Sequence, residues 1–344
     1  MSHPATTTSS TTPTRTAASP AVLVDGLVKR YDEVEAVRGI DFEVASGEIF
    51  GFLGPNGAGK STTINMLCTL VRPSGGSARV ADHDVVTERD DVRRNIGLVF
   101  QDSTLDGYLS AEQNLRLHAE LYGVPRELVR ERMRQVTEMV GLWERRDSLV
   151  NTFSGGMKRR LEIARGLLHS PRVLFLDEPT VGLDPQTRSS IWRYIRELKA
   201  REDITIFLTT HYMDEAEYCE RIAIMDQGRI IVLDTPEALK EKVGKDRVQI
   251  QTDDDQAAIA ALRERFAIEA TVAEGVVTFG VPSGEQFVPR LFDEWDPGHP
   301  PIRSVSVARP SLDDVFMSYT GTTIRDAEAT STDRMRNVAR IMGR

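Results

Sequence analysis

The stretch GPNGAGKST at positions 54–62 sets three glycines around one lysine, directly after the apolar run IFGFL. Gly54, Gly59, Lys60 and Ser61 satisfy the spacing G-x-x-x-x-G-K-[ST], in which successive backbone N–H groups line a concavity that fits a polyphosphate. Side chains would obstruct that approach, and glycine takes up positive φ without strain. The expected phosphate-binding surface is therefore the whole loop: Gly54, Pro55, Asn56, Gly57, Ala58, Gly59, Lys60, Ser61 and Thr62. Lys60 would bring a point charge to the β and γ phosphates and the Ser61 hydroxyl a ligand for Mg²⁺, while a helix opening at Ser61 turns its positive dipole end towards the anion. A glycine-rich turn that binds nothing is the competing reading. The position of the motif between a strand pattern and a helix pattern favours phosphate.

A second group of residues says what is done to the phosphate. VLFLDEP at 173–179 ends an apolar strand in Asp177 and Glu178. An acid there is costly unless a cation or hydrogen-bond donors meet it, and beside a phosphate loop that cation is Mg²⁺. Glu178 would polarise the water that attacks the γ-phosphate, a general-base role worth roughly 10²–10⁴ in rate. In NTFSGGMKRRLEIARGLL at 151–168, Ser154, Gly155 and Gly156 open a helix, so a hydroxyl, bare backbone N–H groups and a helix dipole point at a second anion. Two half-sites in one chain suggest that each closes on the nucleotide of another copy across a symmetric dimer. An N-capped amphipathic helix with glycines for close packing is the alternative for this stretch.

These groups must be held by strands and helices, and the pattern supplies both. VLVDGLVKRY and VRGIDFEV read as strands joined by a polar turn at 32–35, and IFGFL is the strand that feeds the loop. RPSGGSARVADHDV punctuates the chain with proline and glycine, and IGLVF at 96–100 is a short buried run ended by Gln101. From Ser110 to Leu142 apolar residues recur at helical spacing, which predicts an all-α insertion over about 103–150. Strands at 173–177 and 205–210 alternating with helices indicate a mainly parallel α/β sheet. From about Val243 the texture changes to β-α-β-β-α-β order, the ferredoxin-like arrangement. The expected organisation is a disordered tail over 1–20, a nucleotide-binding domain over 21–243, a C-terminal α+β domain over 244–320 and a tail over 321–344, disordered from Thr322 to the basic stretch RMRNVARIMGR.

Composition bounds the rest. At 344 residues the chain has room for two domains, and its 40% hydrophobic and 28% charged content is that of a soluble protein. No segment approaches the ~18 apolar residues needed to span a bilayer, and the N-terminus reads as neither a secretory signal nor an anchor. Only Cys68 and Cys219 are present, far apart, which suits a reducing compartment and argues against a cysteine metal site. A formal net charge of −9 argues against bulk nucleic-acid binding.

Taken in order, GPNGAGKST, Gln101, SGGMKRR, VLFLDEP, VGLD at 181–184 and His211 in LTTHYMDEAE resemble the ATP-binding subunit of ABC transporters, over about residues 22–239. The resemblance implies an α/β P-loop NTPase fold and ATP with Mg²⁺ as its ligands. By matching position it implies that Tyr31 stacks on adenine, Gln101 contacts Mg²⁺ and senses the membrane subunit, Asp184 is a dimer-interface acid, and His211 contacts the γ-phosphate. For His211 a satisfied core histidine is the competing reading, and its order after the acidic pair favours the phosphate. Met157 stands where many members carry glutamine, which leaves the Ser-Gly-Gly backbone contacts intact. SGGMKRRLEIARGLLHSP, THYMDEAEYCERIAIMDQGRI, LDTPEALK and SLDDVFMSYTG are similar to the exporter branch that includes daunorubicin-resistance ATPases, extending the resemblance almost to Thr320. That branch implies an ATPase subunit that dimerises on ATP and works with a separate membrane permease at the cytoplasmic face, exporting a drug or antibiotic-like compound. An importer ATPase, an exporter of lipid or polysaccharide, or a soluble ABC protein with no transport role are the alternatives.

Overall fold

The computed structural model describes residues 19–321 apart from 274 and 297, so the tails expected at 1–20 and 321–344 lie almost wholly outside the described residues. Strands β1 (Val22–Tyr31) and β2 (Val34–Val44) form an antiparallel hairpin, and β3 (Ile49–Leu53) leads into the glycine loop and helix α1 (Lys60–Leu67). β4 (Gly75–Val80) and the short β5 (His83–Asp84) return to the hairpin, giving a four-stranded sheet in the order β2-β1-β4-β5. The Gly-Gly pair read from sequence as a break thus lies inside a strand. Gly76 has φ +74°, and a Cβ on it would stand 2.1 Å from the carbonyl oxygen of Gly26, so the glycine permits β4 to approach β1.

Helix α2 (Arg89–Asn95) and β6 (Ile96–Val99) follow, then the helical insertion with α3 (Ala111–Leu121) and α4 (Arg126–Met139). Ser110 and Gln113 close a reciprocal capping box at the start of α3. After it come α5 (Gly155–Leu167), β7 (Val173–Asp177), α6 (Pro185–Arg201), β8 (Thr205–Thr210), α7 (Met213–Ala216), β9 (Arg221–Asp226), β10 (Arg229–Asp234) and α8 (Pro236–Val243). A six-stranded sheet runs β10-β9-β3-β8-β7-β6, parallel throughout except that β10 pairs antiparallel to β9. β3, β7 and β8 are buried at every position, which is why their sequences are unbroken apolar runs and not alternating ones. One core, built on Phe42, Phe50, Phe52, Phe175 and Phe207, fills the space between the two sheets; the other lies between the six-stranded sheet and the helices.

The chain continues as β11 (Asp246–Thr252), α9 (Asp255–Phe266), β12 (Ala270–Ala273), β13 (Val276–Val281), α10 (Gly284–Glu294) and β14 (Ile302–Ala308). Its sheet is antiparallel in the order β12-β13-β11-β14, the ferredoxin-like order, with its own core around Val248, Ile250, Phe279 and Leu291. The final helix, α11 (Leu312–Thr320), does not join that core. Leu312, Val315 and Phe316 are fully buried in the helical-side core of the six-stranded sheet, together with Leu239 of α8. The region expected at 244–320 therefore places its apolar side chains in two different cores.

Candidate nucleotide site

The carboxyl ends of β3, β7 and β8 lie side by side, and the glycine loop, Asp177, Glu178 and His211 are carried at or just beyond them. β3 delivers the loop. Gly59 has φ +104°, and a Cβ there would stand 2.6 Å from the carbonyl oxygen of Ala36; a Cβ on Gly54 would stand 2.1 Å from that of Met225. Gly54 and Gly59 are thus required by close packing against the neighbouring backbone. α1 begins at Lys60, whose buried ammonium donates to the carbonyls of Gly54 at 2.7 Å and Pro55 at 3.1 Å and lies 3.5 Å from Glu178 Oε1. The loop, Tyr31, Gln101, Glu178 and Gln227 line a cleft of about 770 Å³. Tyr31 is 43% exposed at its edge.

Asp177 stands behind Ser61 and is almost fully buried. Its Oδ1 accepts from Ser61 Oγ at 3.0 Å and from Thr209 Oγ1 at 2.5 Å. Burial raises its carboxyl pKa above the ordinary range, only partly offset by the Thr209 and Ser61 hydroxyls. For Glu178 burial also acts to raise the pKa, but His211 and Lys60 together outweigh it and hold the group below its usual value. His211 Nδ1 approaches Glu178 Oε2 to 3.4 Å, at ion-pair distance but without hydrogen-bond alignment. Glu178 itself has φ +44°, a left-handed conformation that costs a non-glycine residue roughly 1–2 kcal/mol. Such strain, held in place at a charged cluster, marks a site where side-chain direction matters.

Residues from the other two motifs do not line this cleft. Ser154 caps α5, accepting from the Met157 N–H at 3.3 Å, and Ser154 and Gly155 face solvent. Gly156 is buried, and a Cβ on it would stand 2.4 Å from Thr187 Cγ2 of α6. Asp184 caps α6, its carboxylate accepting from Thr187 N at 3.0 Å and Thr187 Oγ1 at 2.6 Å, and it is exposed. Three residues went unread in the sequence. Thr209 ties β8 to Asp177 and also accepts from the Glu178 N–H at 3.0 Å. Glu215 is buried, accepting from the Thr180 hydroxyl and from Thr210 Oγ1 at 2.7 Å, which links the segment after Glu178 to the one before His211. Arg159 of α5 is buried against backbone carbonyls. Only its position one turn into a helix that must face the sheet could have signalled it.

This arrangement agrees with what comparison with known proteins returns. Residues 37–181 match the family "ABC transporter", and residues 235–320 match the C-terminal domain of ATP-binding proteins of the DrrA1-3 type. The chain is 41% identical to the "Daunorubicin/doxorubicin resistance ATP-binding protein DrrA" of Streptomyces peucetius, over 90% of this chain and 94% of that one. The chain belongs to the ATP-binding proteins of ABC transporters. This ABC ATPase is also 37% identical to the "Linearmycin resistance ATP-binding protein LnrL" of Bacillus subtilis (strain 168), over 88% of this chain and 99% of that one. It is 38% identical to the "Nod factor export ATP-binding protein I" of Ralstonia nicotianae, over 90% of this chain and 96% of that one. Among solved structures it resembles cbiO1 of Clostridium perfringens, part of an ABC transporter complex, with a TM-score of 0.61 and 29% identity over 72% of this chain and 96% of that one. It also resembles the dimeric post-hydrolysis form of the cassette MJ0796 bound to ADP and phosphate, with a TM-score of 0.56 and 27% identity over 62% of this chain and 98% of that one. The chain is accordingly a transporter-type ATPase, of a class whose subunits pair with one another and work with membrane permeases. No helix among the described residues is long and apolar enough to cross a membrane.

Proposed function

We propose that this chain hydrolyses ATP in a homodimer and so energises export of a drug or antibiotic-like hydrophobic compound through a separate permease, at the cytoplasmic face of the membrane. The observation that carries the hydrolytic part is the meeting of Lys60 and Glu178 at one wall of the cleft, with His211 3.4 Å behind the other oxygen of Glu178. The loop from Gly54 to Thr62 wraps the phosphates, Lys60 neutralises the β and γ oxygens, and Tyr31 stacks on the adenine. Glu178, whose pKa is held below its usual value by its contacts with His211 and Lys60, orients and deprotonates the attacking water, and His211 holds the γ-phosphate against that water. Ser61, Asp177 and Gln101 suit Mg²⁺: a buried carboxylate that meets only hydroxyls, beside a second acid, calls for a cation. When bound, Mg²⁺ offsets the charge that develops on the β and γ oxygens. Ser154, Gly155 and Gly156, at the start of α5, serve the nucleotide of the opposite protomer, with Asp184 at the interface between the two.

The export reading draws on the names carried by the relatives, which concern resistance to daunorubicin, doxorubicin and linearmycin and export of Nod factor. Two substitutions separate binding from hydrolysis. Glu178→Gln should bind ATP, lose turnover by roughly 10²–10⁴ and accumulate as an ATP-bound dimer on size exclusion. Lys60→Ala should bind ATP weakly and stay monomeric. Turnover of Glu178→Gln near the wild-type rate would remove Glu178 from the chemistry.

A further inference from the structure

Arg159 sits one turn inside α5 with 6% of its surface exposed. Its Nε donates to the carbonyl of Pro179 at 2.6 Å, and its Nη2 to those of Asp177 at 3.0 Å and Glu178 at 3.2 Å. Nη1 donates to the carbonyl of Phe100, the residue before Gln101, and to Glu162 Oε2 at 3.1 Å. One guanidinium thus gathers carbonyls from two segments that both reach the nucleotide cleft. In a regular strand successive carbonyls point to opposite sides, so three in a row can converge on one cation only where the backbone breaks. The break is Glu178, at φ +44°. From the other side Thr209 Oγ1 accepts the Glu178 N–H at 3.0 Å. The peptide is clamped on both faces, and its carboxylate is thereby aimed at Lys60 and His211. α5 grips the Gln101 segment as well: Glu162 accepts from the Thr104 N–H at 2.9 Å, and Arg165 donates to the Thr104 carbonyl at 3.0 Å.

We propose that Arg159 is a positioning residue for hydrolysis: it fixes the left-handed peptide of Glu178 and the backbone before Gln101 to α5, whose exposed start meets the opposite nucleotide. Seating of that nucleotide and alignment of Glu178 then become one movement of one rigid frame. The inference rests on the assignment of Glu178 given above. A fixed fork of donors is required, and a lysine, with its charge at one point, cannot span the carbonyls of Phe100 and of residues 177–179.

The test uses the full chain with Arg159→Lys, which keeps the charge beside Glu162, and with Arg159→Gln paired with Glu162→Gln, which removes both buried charges together. In each, kcat for ATP should fall about 10²-fold, the loss expected when a catalytic group is displaced by about 1 Å, while KM and the affinity for a non-hydrolysable ATP analogue stay within about threefold. In the Glu178→Gln background Arg159→Lys should remove no further residual turnover, because it acts through the group already lost. A kcat for Arg159→Lys within about threefold of wild type, or a loss that multiplies that of Glu178→Gln, overturns the proposal while the Glu178 assignment stands. Wild-type turnover in Glu178→Gln alone overturns both.

Discussion

Helix α11 closes a core that lies about 70 residues earlier in the chain (from Leu239 to Val315 and its neighbours), and its contribution can be measured. Phe316 is fully buried there with Leu312 and Val315, whereas Met317 on the same helix is 50% exposed. Truncating a buried phenylalanine to alanine removes its burial and leaves a cavity, typically about 3–5 kcal/mol. At roughly 2–4 °C per kcal/mol for a domain of this size, Phe316→Ala should lower Tm by about 10 °C. Met317→Ala should cost under about 0.5 kcal/mol. Both are read by thermal melting of the full chain, with and without ATP. Because nucleotide binds the folded form alone, ATP at about 100 times its Kd should restore about 2.7 kcal/mol of what Phe316→Ala removes. Cutting the chain after residue 244 removes all three side chains, roughly 4.5–9 kcal/mol of burial at about 1.5–3 kcal/mol each. That is comparable with the whole stability of a typical domain, so the shortened chain should unfold and not serve as a minimal nucleotide-binding unit. A shift under about 2 °C in Phe316→Ala, or equal shifts for Phe316 and Met317, would refute this account of α11.

Two further outcomes are expected. His118 of α3 packs against Tyr122 and His169, and its pKa is pushed down to about 3, by burial first and then by Arg165 and His169. The unfolded chain therefore binds a proton near pH 6.5 that the folded chain refuses, so stability falls as pH drops from about 6.5 towards 3, by about 2 kcal/mol at pH 5. His118→Phe should flatten the difference between urea midpoints at pH 7.5 and pH 5; an unchanged difference assigns the acid sensitivity elsewhere. If the permease docks on the helical insertion, it meets Tyr108 and Leu121, 88% and 75% exposed, and the cleft of about 1090 Å³ between α3 and α4. Glu112 and Arg116 line that cleft and pair at 3.0 Å, so reversing one alone sets like charges together. Leu121→Asp, and the double reversal of Glu112 and Arg116, should abolish co-purification with the permease and drug export while ATP binding by the isolated chain is unchanged. Export that survives both puts the coupling surface on another face.

Much of the candidate site was legible in residue order because each group proposed to face phosphate belongs to a local motif. A loop built of backbone N–H groups must be glycine-rich and must stand between a strand and a helix, and both requirements are visible in GPNGAGKST. The acid pair at the end of VLFLD was legible for the same reason: an apolar run that stops at two carboxylates needs a cation. The α/β alternation and the β-α-β-β-α-β order of the C-terminal region were written in periodicities that burial on one or two faces imposes.

What residue order could not show is anything that depends on two distant segments meeting. Gly76 reads as punctuation, since nothing nearby reveals that β1 will pass close enough to exclude a Cβ. Arg159 and Glu215 look like ordinary charges on helices, and only the folded chain brings the carbonyls of residues 177–179 and the hydroxyls of Thr180 and Thr210 to them. The left-handed turn of Glu178 has no local cause, because a glutamate adopts it only when Thr209 and Arg159 hold its peptide from opposite sides. α11 carries an apolar stripe in either case; whether the stripe seals the ferredoxin-like sheet or the ATPase core depends on which surface lies within reach. Local chemistry is set by neighbours in the chain. The aim of the Glu178 carboxylate and the partner of an amphipathic helix are set by neighbours in space.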